Sequence, residues 1–330
     1  MFEVLYKWNA TRPDLDVEEF GSKVELRGYE VQNVGLNGEF LTQLGAGKIE
    51  PLSVGDIASK YCPTRRDLYF LKGQNKVRGT DKKTWARKAG KLVEEFFYSQ
   101  LDIESTIKKG KYSFYKRKAN AYFSKYFNSR DNQISKLKEL EEESGKLGGD
   151  TDWLINMLKQ TARSELILKV LNEKLRRYYN ISRKNLFVEK ELHPDIFTIG
   201  INTPAKPDFI IPKASIIGDI KTGKFFEKTY TLTCAGYALA YENEFKKPIN
   251  WGAIFFFPIH TTSKYYRATT YPQVHFFPID DSLRQWFLDE RDEAYEMASK
   301  ISAPSFPTEK KQCYFCKYKD KCITDGLILE

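Results

Sequence analysis

Long apolar segments are absent from this sequence. The longest, around residues 251–259, is interrupted by Pro258, whereas a membrane-spanning helix needs about 20 consecutive apolar residues. The first residues, MFEVLYKWNATRPDLD, are charged and contain no apolar core of the kind found in secretory leaders. These absences argue against a membrane protein and lead us to expect a cytoplasmic one.

Cysteine is scarce, with 5 residues in 330. Thiols stay reduced in the cytoplasm, so clustered cysteines there indicate a metal site before a disulfide. Cys313, Cys316 and Cys322 form the pattern C-x2-C-x5-C, and Cys62 lies far upstream in the segment YCPTRR. Two thiolates two residues apart can bind one ion or cluster. The fifth, Cys234, lies among apolar residues and is expected in the core.

Acidic residues are fewer than basic ones. The chain has 53 Lys and Arg against 44 Asp and Glu, for a formal net charge of +9. This balance favours a polyanionic partner such as nucleic acid, although it also fits an ordinary surface rich in ion pairs. A hydrophobic content of 41% with 15% aromatic residues indicates a packed globular protein.

Two short apolar segments, 208–212 and 215–221, are predicted to form strands joined by a tight turn. Asp219 and Lys221 are two residues apart, so they project from the same face of the second strand. Asp208 can approach that face from the first strand. Two carboxylates suit Mg²⁺ or Mn²⁺, and a lysine beside them can orient an attacking water and help to deprotonate it. The alternative is a solvated hairpin with no catalytic role.

Periodicity predicts the remaining elements coarsely. Apolar residues recur at helical spacing in the segments 83–101, 151–179, 229–245 and 280–301. Short apolar or alternating runs predict strands at 186–192, 251–258 and 274–277. Ser53 is a predicted N-cap for a short helix that ends before Pro63, and residues 1–50 are expected to be loops and short strands.

Residues 108–130 combine basic and aromatic side chains and contain no acid. Single-strand binders combine basic grooves with stacking rings, so Lys116 and Arg117 are candidate phosphate contacts. Arg65 and Arg66, beside Cys62, form a second candidate patch. The alternative for the insert is an amphipathic helix whose tyrosines are core and whose lysines face solvent.

The motif Pro207-Asp208, followed by Asp219-Ile-Lys221 and then Thr-Gly-Lys, resembles the PD-(D/E)xK nucleases of the RecB type. Gly90-Lys-Leu-Val-Glu94 is similar to that family's G-x-x-x-H helix, with glutamate in place of histidine. The Q-x-x-x-Y helix has a counterpart that ends at Tyr237, with Thr233 in place of glutamine.

The resemblance assigns roles to these residues. It implies that Asp208, Asp219 and Glu94 bind Mg²⁺ or Mn²⁺, that Lys221 positions water, and that Tyr237 contacts nucleic acid. Related enzymes also carry glutamates on the preceding strand, where Glu189 and Glu191 would share a face. The alternatives are an exposed helix acid for Glu94 and a solvated strand face for Glu189 and Glu191.

The order of the cysteines, one followed by proline and arginines and three at the C-terminus, resembles the iron–sulfur nucleases. Within them it is most similar to the CRISPR-associated Cas-four family and its longer archaeal branch, Csa-one. This resemblance implies a structural 4Fe–4S cluster held by Cys62, Cys313, Cys316 and Cys322, with a 2Fe–2S cluster also fitting four thiolates. Zinc in a small ribbon is the alternative for the C-terminal trio.

Fold and function follow from the same resemblance. We expect an α/β, restriction-endonuclease-like core with a mixed central sheet flanked by helices. The expected divisions are an N-terminal extension, a helical part with the first cluster cysteine, a helical insertion, the nuclease core and a cluster-binding module, at 1–52, 53–101, 102–180, 181–302 and 303–330.

The implied activity is that of a metal-dependent DNA nuclease, expected to be an exonuclease on single-stranded DNA or DNA ends, in CRISPR spacer acquisition. Its expected partners are DNA and CRISPR integrase proteins, without a membrane. A catalytically weak DNA-binding subunit of the integration complex is the alternative, because Glu94 and Thr233 depart from the family pattern.

Overall fold

The computed structural model describes most of the chain. The described residues are 35–73, 76–79, 84–106, 121, 124–144, 149–164, 186–223, 226–259 and 272–329. The basic segment 108–130 falls largely outside them, and Lys116 and Arg117 with it. None of the helices in the described ranges is long and apolar enough to cross a membrane.

Five strands form one mixed sheet in the order β1-β2-β3-β4-β5. They are Phe187–Val188, Phe209–Ile211, Ile216–Gly223, Trp251–Pro258 and Gln273–Pro278. β3 and β4 pair in parallel and the other neighbours are antiparallel. The parallel pair needs a crossover, which a helix between the two strands supplies. The expected α/β class with a mixed sheet is confirmed.

The helices α1 to α10 follow in chain order. They are Gly38–Gly45, Val54–Ala58, Arg66–Lys72, Trp85–Thr106, Asp131–Ser144, Thr151–Ser164, Ile196–Ile199, Tyr230–Phe245, Asp281–Ser299 and Lys319–Thr324. Short 3-10 turns lie at Pro212–Ala214 and Lys311–Phe315. The predicted helices that became α4, α8 and α9 are confirmed, and the one predicted over 151–179 is confirmed for the residues of α6.

Helices cover both faces of the sheet. On one face α4, α5 and α6 share a core with β2 and β4, in which the Phe97 ring centroid lies 4.9 Å from that of Phe255 and 6.0 Å from that of Phe209. On the other face α2, α8 and α9 pack against Ile217 and Ile254. β4 is buried at every position, as its uninterrupted apolar sequence predicts for a strand covered on both faces.

A buried ion pair joins the helices of the second face. Arg284 of α9 is fully buried and donates to Glu242 of α8 at 2.5 Å, while the Ile249 backbone N–H donates to the same carboxylate at 2.9 Å. Arg284 also donates to the Ile249 carbonyl at 2.9 Å. Each charge is therefore paired and hydrogen-bonded, which is the condition for burying it.

Three sequence expectations need correction. The predicted strand 186–192 ends at Val188, because Glu189 has a left-handed φ of 45° and leaves the ladder. The helix that Ser53 begins has the predicted cap, with Asp56 completing a capping box, but ends at Ala58 since Ser59 is extended. Within the expected loops and strands of residues 1–50 the described part contains α1, capped by Asn37.

Candidate active site

Strand register brings the two predicted metal-binding aspartates together. Phe209 of β2 pairs with Gly218 of β3 in an antiparallel ladder, so the residue before Phe209 lies beside the residue after Gly218. Those residues are Asp208 and Asp219. Gly218 is required for this arrangement, because a Cβ there would lie 1.9 Å from the Phe209 ring.

Asp208 is held by two donors. The Ile220 backbone N–H donates to Asp208 Oδ2 at 2.5 Å, and the Tyr98 hydroxyl donates to Oδ1 at 2.8 Å. The Tyr98 oxygen also lies 3.4 Å from Glu94 Oε1. Tyr98 thus connects the acids of two elements, since Glu94 and Tyr98 are four residues apart on α4 and share a face. Sequence reasoning missed Tyr98, although this spacing was a signal for it.

Glu94 reaches the site because α4 passes very close to β3. The contact point is Gly90, where a Cβ would lie 2.9 Å from Thr222 Oγ1. A larger side chain at Gly90 would push the helix and its glutamate away from the strand. The glycine of the G-x-x-x-E segment therefore has a packing role that explains its position one turn before the acid.

The carboxylates of the site repel one another. Burial and the negative charge of Asp219 raise the pKa of Asp208 well above its ordinary value. Burial and the charge of Glu189 raise the pKa of Glu94, with Asp219 adding to the effect. The raised pKa values of Asp208 and Glu94 indicate that neighbouring carboxylates crowd negative charge together, which a bound cation would relieve.

Lys221 supplies one such positive charge. Its ammonium forms a close ion pair with Asp219 Oδ2. Burial lowers the pKa of Lys221, but the charge and hydrogen bond of Asp219 outweigh that effect and the net pKa is raised. Lys221 is therefore a protonated donor at neutral pH rather than a base.

The donor set fits a hard divalent cation in its chemistry. Asp208, Asp219 and Glu94 offer carboxylate oxygens, the ligands that Mg²⁺ and Mn²⁺ prefer. Across the described part of the chain no three acidic, histidine or cysteine side chains are close enough to form a ready-made metal site. Tyr98, the Ile220 amide and Lys221 occupy oxygens of the two aspartates instead.

Three residues of the family motif region lie on α8, which covers the face of the sheet opposite α4. Tyr237 is half-buried beside the acids, and burial followed by the charges of Asp219 and Asp208 raises its pKa. Thr233, at the family's glutamine position, is buried, as is Cys234, for which a core position is confirmed.

Glu189 and Glu191, which were expected to share one face of a strand, lie apart in the structure. The Glu189 backbone N–H donates to the Asp208 carbonyl at 3.1 Å, and its carboxylate acts on Glu94 as described above. Glu191 is exposed and pairs with Lys206 at 2.6 Å. The prediction that these two glutamates share a face is wrong, because the chain turns at Glu189.

The four cysteines of the predicted cluster line a single cavity. Cys62 comes from the loop before α3, Cys313 from the 3-10 turn, Cys316 from the loop after it and Cys322 from α10. Their thiols are free of disulfides. Burial raises the pKa of Cys316 to about 11 and raises those of Cys313 and Cys322. Burial thus disfavours bare thiolates in this cavity, and thiolates become favourable when a positive ion or cluster binds them.

Arg65 and Arg66 are not available to nucleic acid, which corrects their predicted role. Arg65 is 1% exposed, donates to the Ile57 carbonyl at 3.1 Å and pairs with Glu290 of α9. Arg66 is 5% exposed and donates to Asp325 at 2.6 Å. Both guanidinium groups connect α3 to C-terminal segments through ion pairs. Position in the sequence alone does not distinguish this structural role from phosphate binding.

Comparison with known proteins gives one match over most of the chain. A family model described as "CRISPR-associated exonuclease Csa1" matches residues 23–322. The chain belongs to the Csa1 family. The predicted resemblance to the Csa-one branch is confirmed.

A curated Csa1 relative is similar over a shorter stretch. The CRISPR-associated exonuclease Csa1 of Saccharolobus solfataricus (strain ATCC 35092 / DSM 1617 / JCM 11322 / P2) is 34% identical over 116 residues. The match covers 35% of this chain and 38% of that relative. No solved structure matches this Csa1 chain significantly.

Proposed function

We propose that this Csa1 family member is a metal-dependent deoxyribonuclease of the PD-(D/E)xK type, acting on single-stranded DNA or DNA ends in CRISPR spacer acquisition. The observation that carries the proposal is the meeting of Asp208, Asp219, Glu94 and Lys221 where β2, β3 and α4 converge. The family's description as a CRISPR-associated exonuclease supports the reaction class.

In this proposal Asp208, Asp219 and Glu94 hold Mg²⁺ or Mn²⁺. When bound, the cation would stabilise negative charge on the scissile phosphate and on the leaving oxygen. Lys221 donates hydrogen bonds from its ammonium and orients the attacking water. Tyr98 holds the Asp208 carboxylate in one orientation through its 2.8 Å hydrogen bond. Tyr237 lies at the edge of the site as a proposed contact to the DNA strand.

We further propose that Cys62, Cys313, Cys316 and Cys322 hold a 4Fe–4S cluster, with 2Fe–2S the other cluster compatible with four thiolates. The shared cavity and the all-thiol donor set support a soft metal group there. The cavity lies between α3 and the C-terminal segment. The cluster would therefore connect two distant parts of the chain rather than take part in hydrolysis.

The decisive experiment compares Lys221→Ala and Asp219→Asn with the wild type on end-labelled single-stranded DNA and Mn²⁺. We expect the rate to fall at least about a hundredfold in each, as for loss of a catalytic charge. Lys213→Ala, an exposed lysine at the other end of β3, is the control and should cleave normally. Undiminished cleavage by Lys221→Ala and Asp219→Asn would rule out this mechanism.

A second function, a DNA-binding subunit of the integration complex with little cleavage, is favoured by one observation. Glu94 stands where the family motif has histidine, and its raised pKa weakens it as an anionic ligand. Purified protein that retains DNA and binds CRISPR integrase proteins, yet gives no degradation with Mg²⁺ or Mn²⁺, would favour this function over the nuclease.

A further inference from the structure

A groove lies between α4 and the end of β3, and Glu94 of the acidic cluster lines it. Its walls include Arg87, Lys88 and Lys91 of α4, and Glu94 lies in the same groove. Thr222 of β3 forms part of the opposite side. We call this the α4 groove. Among the described residues that line this groove, Arg65 and Arg66 are absent.

The cations are ordered along the helix toward the acid. Arg87, Lys91 and Glu94 are spaced i, i+4, i+7 and therefore lie along one face. At 1.5 Å per residue the run from Arg87 to Glu94 covers about 10 Å along the helix axis. Arg87 and Lys91 are exposed and Lys88 is half-exposed.

The site itself repels the ligand it is proposed to cut. Asp208, Asp219, Glu94 and Glu189 form a negative cluster, and a phosphodiester approaching it meets like charge. Cations directly beside the cluster offset this repulsion and attract the strand. The floor of the groove is uncharged at Gly90 and Thr222, so the charged groups that a ligand meets first are those of α4.

We propose that the α4 groove binds the phosphate backbone of the DNA strand being cut, through Arg87, Lys88 and Lys91, and presents the scissile phosphate to Glu94 and the two aspartates. The proposal rests on the nuclease function proposed above and adds the binding site for its substrate. The competing role is that these cations only neutralise the protein's own acids, since the charge of Lys91 acts on Glu94.

The test is the salt dependence of DNA binding in the full chain. Arg87→Gln, Lys88→Gln and Lys91→Gln are combined in one variant, and Lys213→Gln, Lys246→Gln and Lys247→Gln in a control with the same change in net charge. The control lysines are exposed and lie at the opposite end of the parallel strands. Both sets are placed in an Asp219→Asn background, and binding of a fluorescent oligothymidylate is followed by anisotropy over a series of NaCl concentrations.

For a single strand, each lost phosphate contact makes the negative slope of log K against log salt shallower by about 0.7. We therefore expect the groove variant to lose about 2 units of slope and to bind at least about tenfold more weakly at low salt. The control should change the affinity far less. If the triple variant unfolds at the temperature of the assay, the three single substitutions replace it. Each is expected to remove about 0.7 from the steepness of the slope.

Equal affinities and slopes in the groove and control variants would overturn the proposal. So would a groove variant, made without Asp219→Asn, that loses cleavage but binds DNA normally, because the cations would then act only on Glu94. Failure of the proposed nuclease function is seen separately, as normal cleavage by the Asp219→Asn protein.

Discussion

At the scale of single residues, Tyr98 explains how a helix and a hairpin share one site. Its hydroxyl donates to Asp208 and lies beside Glu94, so one side chain orients acids from two elements. Burial and the neighbouring Asp208 charge raise the pKa of Tyr98, so that the hydroxyl keeps its proton and stays a donor at neutral pH. Tyr98 is thus expected to position Asp208 rather than to react.

Replacing Tyr98 by phenylalanine tests this positioning role. The hydrogen bond from Tyr98 opposes the rise in the Asp208 pKa, so its loss raises that pKa further. We expect the acidic limb of the kcat/KM profile to move to higher pH, and stability to fall by about 1 kcal/mol. Tyr126→Phe, which removes a hydroxyl 3.3 Å from the Leu92 carbonyl, should lower stability without moving the profile. An unmoved profile in Tyr98→Phe would contradict the role.

Glu94 gives a pH-dependent prediction. Its folded pKa lies above the ordinary value of 4.5, so the folded protein binds more protons than the unfolded one as pH rises through that window, and stability falls there. Without divalent cations, Glu94→Gln should raise Tm by about 1–3 °C at neutral pH and give no gain well below pH 4.5, where Glu94 is protonated in both the folded and the unfolded protein. The neighbouring Glu95 pairs with Arg130 at 2.8 Å, and Glu95→Gln should instead lower Tm slightly. A lower Tm for Glu94→Gln at neutral pH would contradict the repulsion.

At the scale of elements, the site depends on the approach of α4 to β3. The strands β2 and β3 bring their own residues together by register, but Glu94 and Tyr98 arrive only because the helix lies against the strand at Gly90. The same contact shapes the α4 groove. A change in helix position therefore affects the third acid and the proposed DNA path together.

Substitution Gly90→Ala separates this contact from helix stability. Alanine gains about 1 kcal/mol of helix propensity, while its Cβ at 2.9 Å from Thr222 Oγ1 forces the helix or the threonine to move. We expect Tm to change little and kcat to fall at least about tenfold. Adding Thr222→Ala removes the clashing hydroxyl and should restore most of the rate. Thr222→Ala alone is the control, and normal activity in Gly90→Ala would show that the close approach is dispensable.

At the scale of the whole molecule, several contacts connect the region around α3 to the C-terminal part of the chain. Arg65 pairs with Glu290, Arg66 pairs with Asp325, and Cys62 shares a cavity with the three late cysteines. The arginines beside the first cysteine thus support the same connection as the proposed cluster. These ion pairs bury both arginines, although their position beside Cys62 in the sequence resembled a surface patch.

Removal of the proposed cluster tests this connection. A link across such a long loop contributes up to about 5 kcal/mol in the chain-entropy treatment, so Cys62→Ala or anaerobic chelation of iron should lower Tm markedly. The measurements are iron and sulfide content, visible absorption and Tm, with Arg66→Gln as a variant that weakens the connection without removing a thiol. Colourless wild-type protein with zinc bound would contradict the cluster.

Sequence patterns predicted the hairpin and its acids well because these depend on local rules. Alternation and a turn determine which side chains of β2 and β3 share a face, and the register follows from the tight turn between them. The strand at 186–192 was predicted too long because its end depends on a backbone conformation that local patterns do not reveal. A left-handed residue such as Glu189 leaves no pattern in a single sequence.

The sequence by itself determined the α/β class and the shared face of Asp219 and Lys221. It also grouped Cys62, Cys313, Cys316 and Cys322 as candidate ligands of one metal site. The family motif already placed Glu94 with the aspartates, but only the tertiary structure decided that Tyr98 joins them, that Arg65 and Arg66 are buried, and that a groove with cations leads to Glu94. The physical reason is distance along the chain. Local spacing sets which side chains share a face, whereas burial and charge proximity depend on how separate elements pack.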